Sequence, residues 1–152
     1  PDVLRWHADP DTATRGFMLD LIEMRRIVEP KAAELAAVRG TREDVANILS
    51  AYEDMAADEA DQEQRIAADI AFHSAILKAS HNEVLTHFRY AIAAYLKAHS
   101  RLGQQVSPAD DAEDLERHHR IAMAIATGKA KSAYSLTVDM LQSNRSHFEA
   151  EA

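Results

Sequence analysis

Cysteine is missing from all 152 residues, which excludes disulfides and zinc–thiolate sites and fits a reducing compartment. Glycine and proline occur only four times each. Folds rich in β-structure spend more of both on turns, so the shortage favours helices. Long apolar runs are lacking as well. No stretch approaches the roughly 20 residues of a membrane span, and no secretory signal is visible. Basic charge is in deficit, with 17 Lys and Arg against 25 Asp and Glu and a formal net charge of -8. Such a surface repels phosphate backbones, and no run of Lys and Arg reverses this locally, so the chain alone is not expected to bind DNA or RNA. A glycine-rich phosphate loop, a Ser–His–Asp order and a strand-borne nucleophile are also absent, which weighs against an enzyme. The sequence opens at Pro1 and not at Met, as expected of a piece of a longer protein. A cytoplasmic location is expected.

What is there is helical periodicity. The length suits one domain. Residues 1–13, with the turn signal Asp9, Pro10, Asp11, read as a linker or N-terminal arm. Residues 14–152 read as one helical domain. A first helix is expected over residues 14–39, ended by Gly40, with Met18, Leu21, Ile22, Val28, Ala32 and Leu35 on its apolar stripe. Pro30 lies inside it and should kink it or start a second helix. Thr41 to Asp44 resembles a capping box and opens a helix to about residue 57. Further helices are expected over residues 63–79, 83–102, 112–127 (stopped by Gly128) and 130–149. The fold class is therefore all-α, an antiparallel bundle of six or seven helices.

Polar residues on apolar faces carry the chemistry. Asp69 and His73 share the stripe of Ile66, Ile70, Ile76 and Leu77, four residues apart, so both point the same way. A carboxylate and an imidazole on one face suit a divalent ion such as zinc or nickel. Taken alone, the pattern reads first as a helix-stabilising pair or a satisfied core histidine. His118 lies among Leu115, Ile121, Ala122 and Ile125; alone it reads as a core histidine bonded to a carbonyl. Arg25 shares the stripe of Met18, Leu21, Ile22 and Val28, and a buried guanidinium needs an anion. That anion is either an internal carboxylate, Glu29 or Asp69, or the carboxylate of a bound ligand.

Three segments together resemble the effector-binding C-terminal domain, the FCD domain, of the FadR subfamily of GntR transcription regulators. Glu23, Arg25, Glu29 and Pro30 followed by an alanine-rich stretch are similar to that family's E-x-R-x-x-x-E-P. Asp69, Phe72 and His73, with Ser80 and Asn82 after them, are similar to its D-x-x-F-H and S-x-N. His118, Ile121, Ala124, Ile125 and Gly128 fall as in H-x-x-I-x-x-A-I-x-x-G. The likeness covers about residues 17–145. The opening Pro1 to Trp6 is also similar to the linker of the branch that answers to sugar acids such as galactonate.

The resemblance implies a helical bundle enclosing an effector pocket, often with Zn or Ni at its floor. The implied metal ligands are Asp69, His73 and His118. A fourth family ligand falls on Met140, whose thioether is a poor partner for such an ion. Water, the effector or Asn144 would then complete the shell. Arg25 would grip a small carboxylate or sugar-acid effector, with Asn144 and Arg145 as further contacts. Operator DNA would be bound by a winged helix-turn-helix ahead of Pro1, in a homodimer. The rival readings are a helical metalloenzyme on the same cluster, with Glu29 as its base, and a structural dimerisation module.

Overall fold

The computed structural model describes residues 15–57, 61–101 and 108–150; for residues 101, 108–110 and 144–150 the description covers the backbone alone. Seven helices are found among the described residues: α1 (Arg15–Arg39), α2 (Arg42–Met55), α3 (Gln62–Ala79), α4 (Glu83–His87), α5 (Arg89–Arg101), α6 (Pro108–Ala126) and α7 (Ala130–Ala150). The expected arm, residues 1–13, lies outside them. None of these helices is long and apolar enough to cross a membrane. The all-α bundle expected from the periodicity is what forms.

Of the two expectations for Pro30, a second helix does not start there: α1 continues through it to Arg39. The ring removes only the donor that would meet the Arg26 carbonyl, and the helix is held on either side by buried Ala32, Ala33 and Ala36 and by Met18, Leu21 and Ile22. The buried stripe also includes Glu29, whereas Val28 and Leu35 are half-buried at its edge. The expected helix over residues 83–102 breaks at Phe88 into α4 and α5. Phe88 N–H turns back to the Leu85 carbonyl at 3.0 Å. The Arg89 side chain donates to the Thr86 carbonyl at 3.2 Å, a group that a continuous helix would give to residue 90.

Helix α3 is central. It packs along α2 and also against α1, α4 and α5, while α1 and α7 form the other extensive interface and α6 rests on α7, α2 and α1. The helix ends are closed by the residues the sequence offered. Gly128, at φ 69, sits in the left-handed region that favours glycine. Lys129 N–H reaches the Ala124 carbonyl at 2.8 Å, the six-residue closure of a Schellman end.

A tie at one corner fixes α3 relative to α1 and α2. Thr41 and Asp44 form the expected capping box. Asp44 Oδ2 accepts from the Thr41 backbone at 2.9 Å, from the Thr41 hydroxyl at 2.7 Å and lies 2.8 Å from His81 Nε2. His81 is the turn residue after α3, at φ 49. Arg39 at the end of α1 donates to the Ser80 carbonyl at 3.1 Å. Asp44→Ala removes the side-chain half of the capping box, leaving the Thr41 hydroxyl on the backbone N–H of residue 44, and removes the cross-tie to His81 with it. It should lower stability by about 1–3 kcal/mol, read as a lower urea midpoint with the helical circular dichroism kept. An unchanged midpoint contradicts the tie.

Candidate functional site

The polar stripes of three helices meet inside the bundle. Helix α1 supplies Arg25 and Glu29, α3 supplies Asp69 and His73, and α6 supplies His118. Arg25 is 1% exposed, His118 2%, and Glu29 and His73 3% each. Spacing decided which side chains face inward: i,i+4 pairs on α1 and α3 put both members on one face.

Arg25 takes the internal partner that the sequence left open. Its Nε donates to Glu29 Oε1 at 2.5 Å, and its guanidinium lies 4.7 Å from the centre of the Tyr95 ring. One terminal nitrogen is directed the other way, 3.4 Å from His73 Nε2. Glu29 Oε2 stands 2.7 Å from His73 Nδ1, but off the line of the ring N–H, so that oxygen has no hydrogen bond. His118 Nδ1 donates to the Asp114 carbonyl one turn back at 2.7 Å. A carbonyl only accepts, so this ring carries a proton on Nδ1, and Nε2 is the atom turned toward Asp69.

Three donor atoms then face one another. Asp69 Oδ1 is 3.1 Å from His73 Nε2 and 3.5 Å from His118 Nε2. Neither contact is aligned, and both Asp69 Oδ1 and His118 Nε2 are buried without a hydrogen-bond partner. The ligand atoms of Asp69, His73 and His118 all lie within 4.8 Å of one another. Buried polar atoms without partners are costly, and a divalent ion satisfies all three at once. The donor set, one carboxylate and two imidazoles, is of the kind zinc and nickel accept. The residues therefore fit a metal. The Asp69 side chain remains 26% exposed although Oδ1 is covered, so the cluster opens to solvent past this residue. Phe72 packs its edge on both imidazoles, with ring centres 5.6 Å from His73 and 5.1 Å from His118.

Beside His73 lies a cavity lined by Glu29, Ile76, Thr137 and Met140, among others, of about 10 Å³. That is room for about one water molecule, so this cavity as it stands holds no sugar acid. Met140 is fully buried in its wall. The side chains of Asn144 and Arg145 lie outside the described residues.

Charge in the cluster is compensated internally. Burial works against an ionised Glu29, yet Arg25 and His73 outweigh it and hold the carboxyl down at about 2. Burial likewise works against the His73 imidazolium, but Glu29 and Asp69 push it up to about 9. Burial opposes the Asp69 carboxylate too, and His118 and His73 hold it well below the usual range. The sequence reading treated Glu29 only as a partner for Arg25 or as a catalytic base. Its contact with His73 on another helix was missed. The only signal was its place on the buried stripe, four residues after Arg25.

The chain matches the FCD domain family over residues 20–143. It is 32% identical over 143 residues to the galactonate operon transcriptional repressor of Escherichia coli, across 94% of this chain and 62% of that protein. It is 35% identical over 117 residues to the HTH-type transcriptional regulator LutR of Bacillus subtilis, across 74% of this chain and 53% of that one. The chain thus spans a little over half the length of these relatives. Among solved structures it is similar to Streptococcus agalactiae GntR, with TM-score 0.71 at 25% identity over 90% of this chain and 60% of that one. The fold is also that of E. coli McbR/YncC, with TM-score 0.76 at 20% identity over 91% of this chain and 66% of that one.

The compensation predicts a pH profile for protein kept in chelator. Glu29, ordinarily near 4.5 and here about 2, stabilises the fold above 4.5 and loses that contribution as pH falls through 2. His73, raised from 6.5 to about 9, contributes fully below 6.5 and loses its contribution as pH rises through 9. Urea midpoints should therefore decline between 6.5 and 9; Asp69 and Asp114 outweigh burial and raise His118 as well, so His73→Ala should lessen that decline and His73→Ala with His118→Ala should abolish it. A flat wild-type profile over this window contradicts the assignment.

Proposed function

The chain belongs to the FCD domain family of GntR-type transcription regulators, and on that premise we propose that it senses a small carboxylate, a sugar acid of the galactonate kind, beside a divalent ion. The family is one of regulators and not of enzymes. The observation that carries the proposal is the set of unpartnered donor atoms on Asp69 and His118, facing His73, with a terminal nitrogen of Arg25 3.4 Å from the His73 Nε2.

In this reading Asp69, His73 and His118 hold Zn or Ni. When bound, the ion supplies positive charge and open positions for a carboxylate or hydroxyl oxygen. Met140 adds no suitable donor, so those positions are left to water or the acid. Arg25 faces the same space. Its Nε is held by Glu29 and its plane by Tyr95, which leaves its terminal nitrogens for the carboxylate. With His73 and His118 as neutral donors, Glu29 and Asp69 offset Arg25 and one of the ion's two charges. The buried cluster then carries one positive charge in excess, which a monocarboxylate neutralises. The galactonate repressor's name gives the acid its class. Asn144 and Arg145, further along α7, are proposed as contacts for the acid's hydroxyls.

Binding then becomes a signal because space is short. A cavity of about 10 Å³ cannot take a polyhydroxy acid unless α7, which carries Thr137 and Met140, moves from α1 and α3. An effector with different affinity for the two arrangements shifts their populations. The shift is proposed to reach a winged helix-turn-helix on the N-terminal side of this domain, in a homodimer on operator DNA. A cytoplasmic location goes with that role.

Thermal denaturation with a panel of small acids, with and without zinc, tests the reading. Galactonate or a close sugar acid should raise the melting temperature in a concentration-dependent way, the added stability reaching about 2.7 kcal/mol at about 100 times Kd. Arg25→Lys keeps a cation beside Glu29 but loses the fork, and should need at least tenfold more acid for the same rise. No response to any acid, with or without zinc, defeats the proposal.

A further inference from the structure

In the sensor just described Glu29 touches neither the ion nor the acid. Yet its two oxygens reach opposite sides of the cluster. Oε1 takes Arg25 Nε at 2.5 Å, and Oε2 lies 2.7 Å from His73 Nδ1. Each contact is to the back of its partner. Arg25 keeps a terminal nitrogen forward, and His73 keeps Nε2 forward, 3.1 Å from Asp69 Oδ1.

The two histidines are supported differently. His118 leans on the Asp114 carbonyl of its own helix at 2.7 Å, a contact that moves with the helix and is indifferent to packing. His73 belongs to α3 and finds its acceptor on α1. An imidazole that binds an ion through Nε2 carries its proton on Nδ1, and a buried N–H needs an acceptor. For His73 that acceptor is Glu29 Oε2, which has no aligned hydrogen bond at present and gains one by a small turn of the ring.

We propose that Glu29 is a positioning residue that couples the two halves of the site, holding the metal ligand His73 and the anion anchor Arg25 from behind so that ion and carboxylate bind cooperatively. The inference rests on the reading that His73 ligates an ion and Arg25 meets an acid. It adds that the grip on the ion depends on the spacing of α1 and α3, because the Glu29 strut spans it. An acid drawn onto Arg25 therefore changes zinc affinity, and by linkage zinc changes acid affinity by the same factor.

The test is calorimetric titration of zinc alone, and zinc in the presence of galactonate, into the whole chain. Wild-type protein should bind one zinc, more tightly with galactonate present. Glu29→Gln should weaken zinc about 10–100-fold, as loss of an orienting partner does, and should bring the galactonate effect on zinc close to nil. Because Glu29→Gln leaves Arg25 buried without a counter-charge, the paired change Arg25→Met with Glu29→Gln is run beside it; it should show the same loss of zinc affinity.

Long-range ¹⁵N spectra of the histidine rings separate positioning from a general structural effect. In zinc-loaded wild-type protein His73 and His118 should both be protonated on Nδ1, and Glu29→Gln should shift the His73 signal alone. Wild-type zinc affinity in either variant, or a zinc-loaded His73 without a proton on Nδ1, overturns the coupling and leaves the metal site standing. Failure of the wild-type chain to bind zinc overturns both.

Discussion

The arrangement turns on one constraint: a guanidinium and two carboxylates cannot be buried together unless their charges are balanced within a few ångströms. Arg25 on α1 is covered almost completely and draws Glu29 onto its Nε. Glu29 draws His73 from α3. His73 and Asp69 share a face of α3 and meet His118 from α6. Breaking such a buried pair by removing one member typically costs about 3–5 kcal/mol, so the chain of contacts locks three helices at a fixed spacing. It leaves Asp69 Oδ1 and His118 Nε2 without partners, and the proposed function rests on that shortfall.

Much of this could be read in the residues. The periodicity of Met18, Leu21, Ile22 and Arg25, and the four-residue spacing of Asp69 and His73, put the right groups inward. Gly40, Gly128 and the Thr41–Asp44 box gave helix ends that the structure keeps. What escaped the sequence depends on contacts between helices. Periodicity says that Arg25 and His73 face inward, but not that Glu29 stands between them. It could not show the break at Phe88 either, because Arg89 competes for the Thr86 carbonyl only once the chain is folded.

The cavity of about 10 Å³ beside His73 ties structure to the proposed function. A roomy pocket would accept a ligand without moving anything. In the proposed sensor a tight site would make entry of the acid a mechanical event, borne by α7, which carries Thr137 and Met140. At the corner of α2 and α3, Asp44 ties Thr41 to His81.

The central claim is that side chains from α3 and α6 converge on one ion without help from the sulfur in the cavity wall. X-ray absorption at the zinc edge of the loaded protein measures this directly. The account predicts a first shell of nitrogen and oxygen only, with the outer scattering of two imidazoles. A sulfur neighbour, or fewer than two imidazoles, would contradict it.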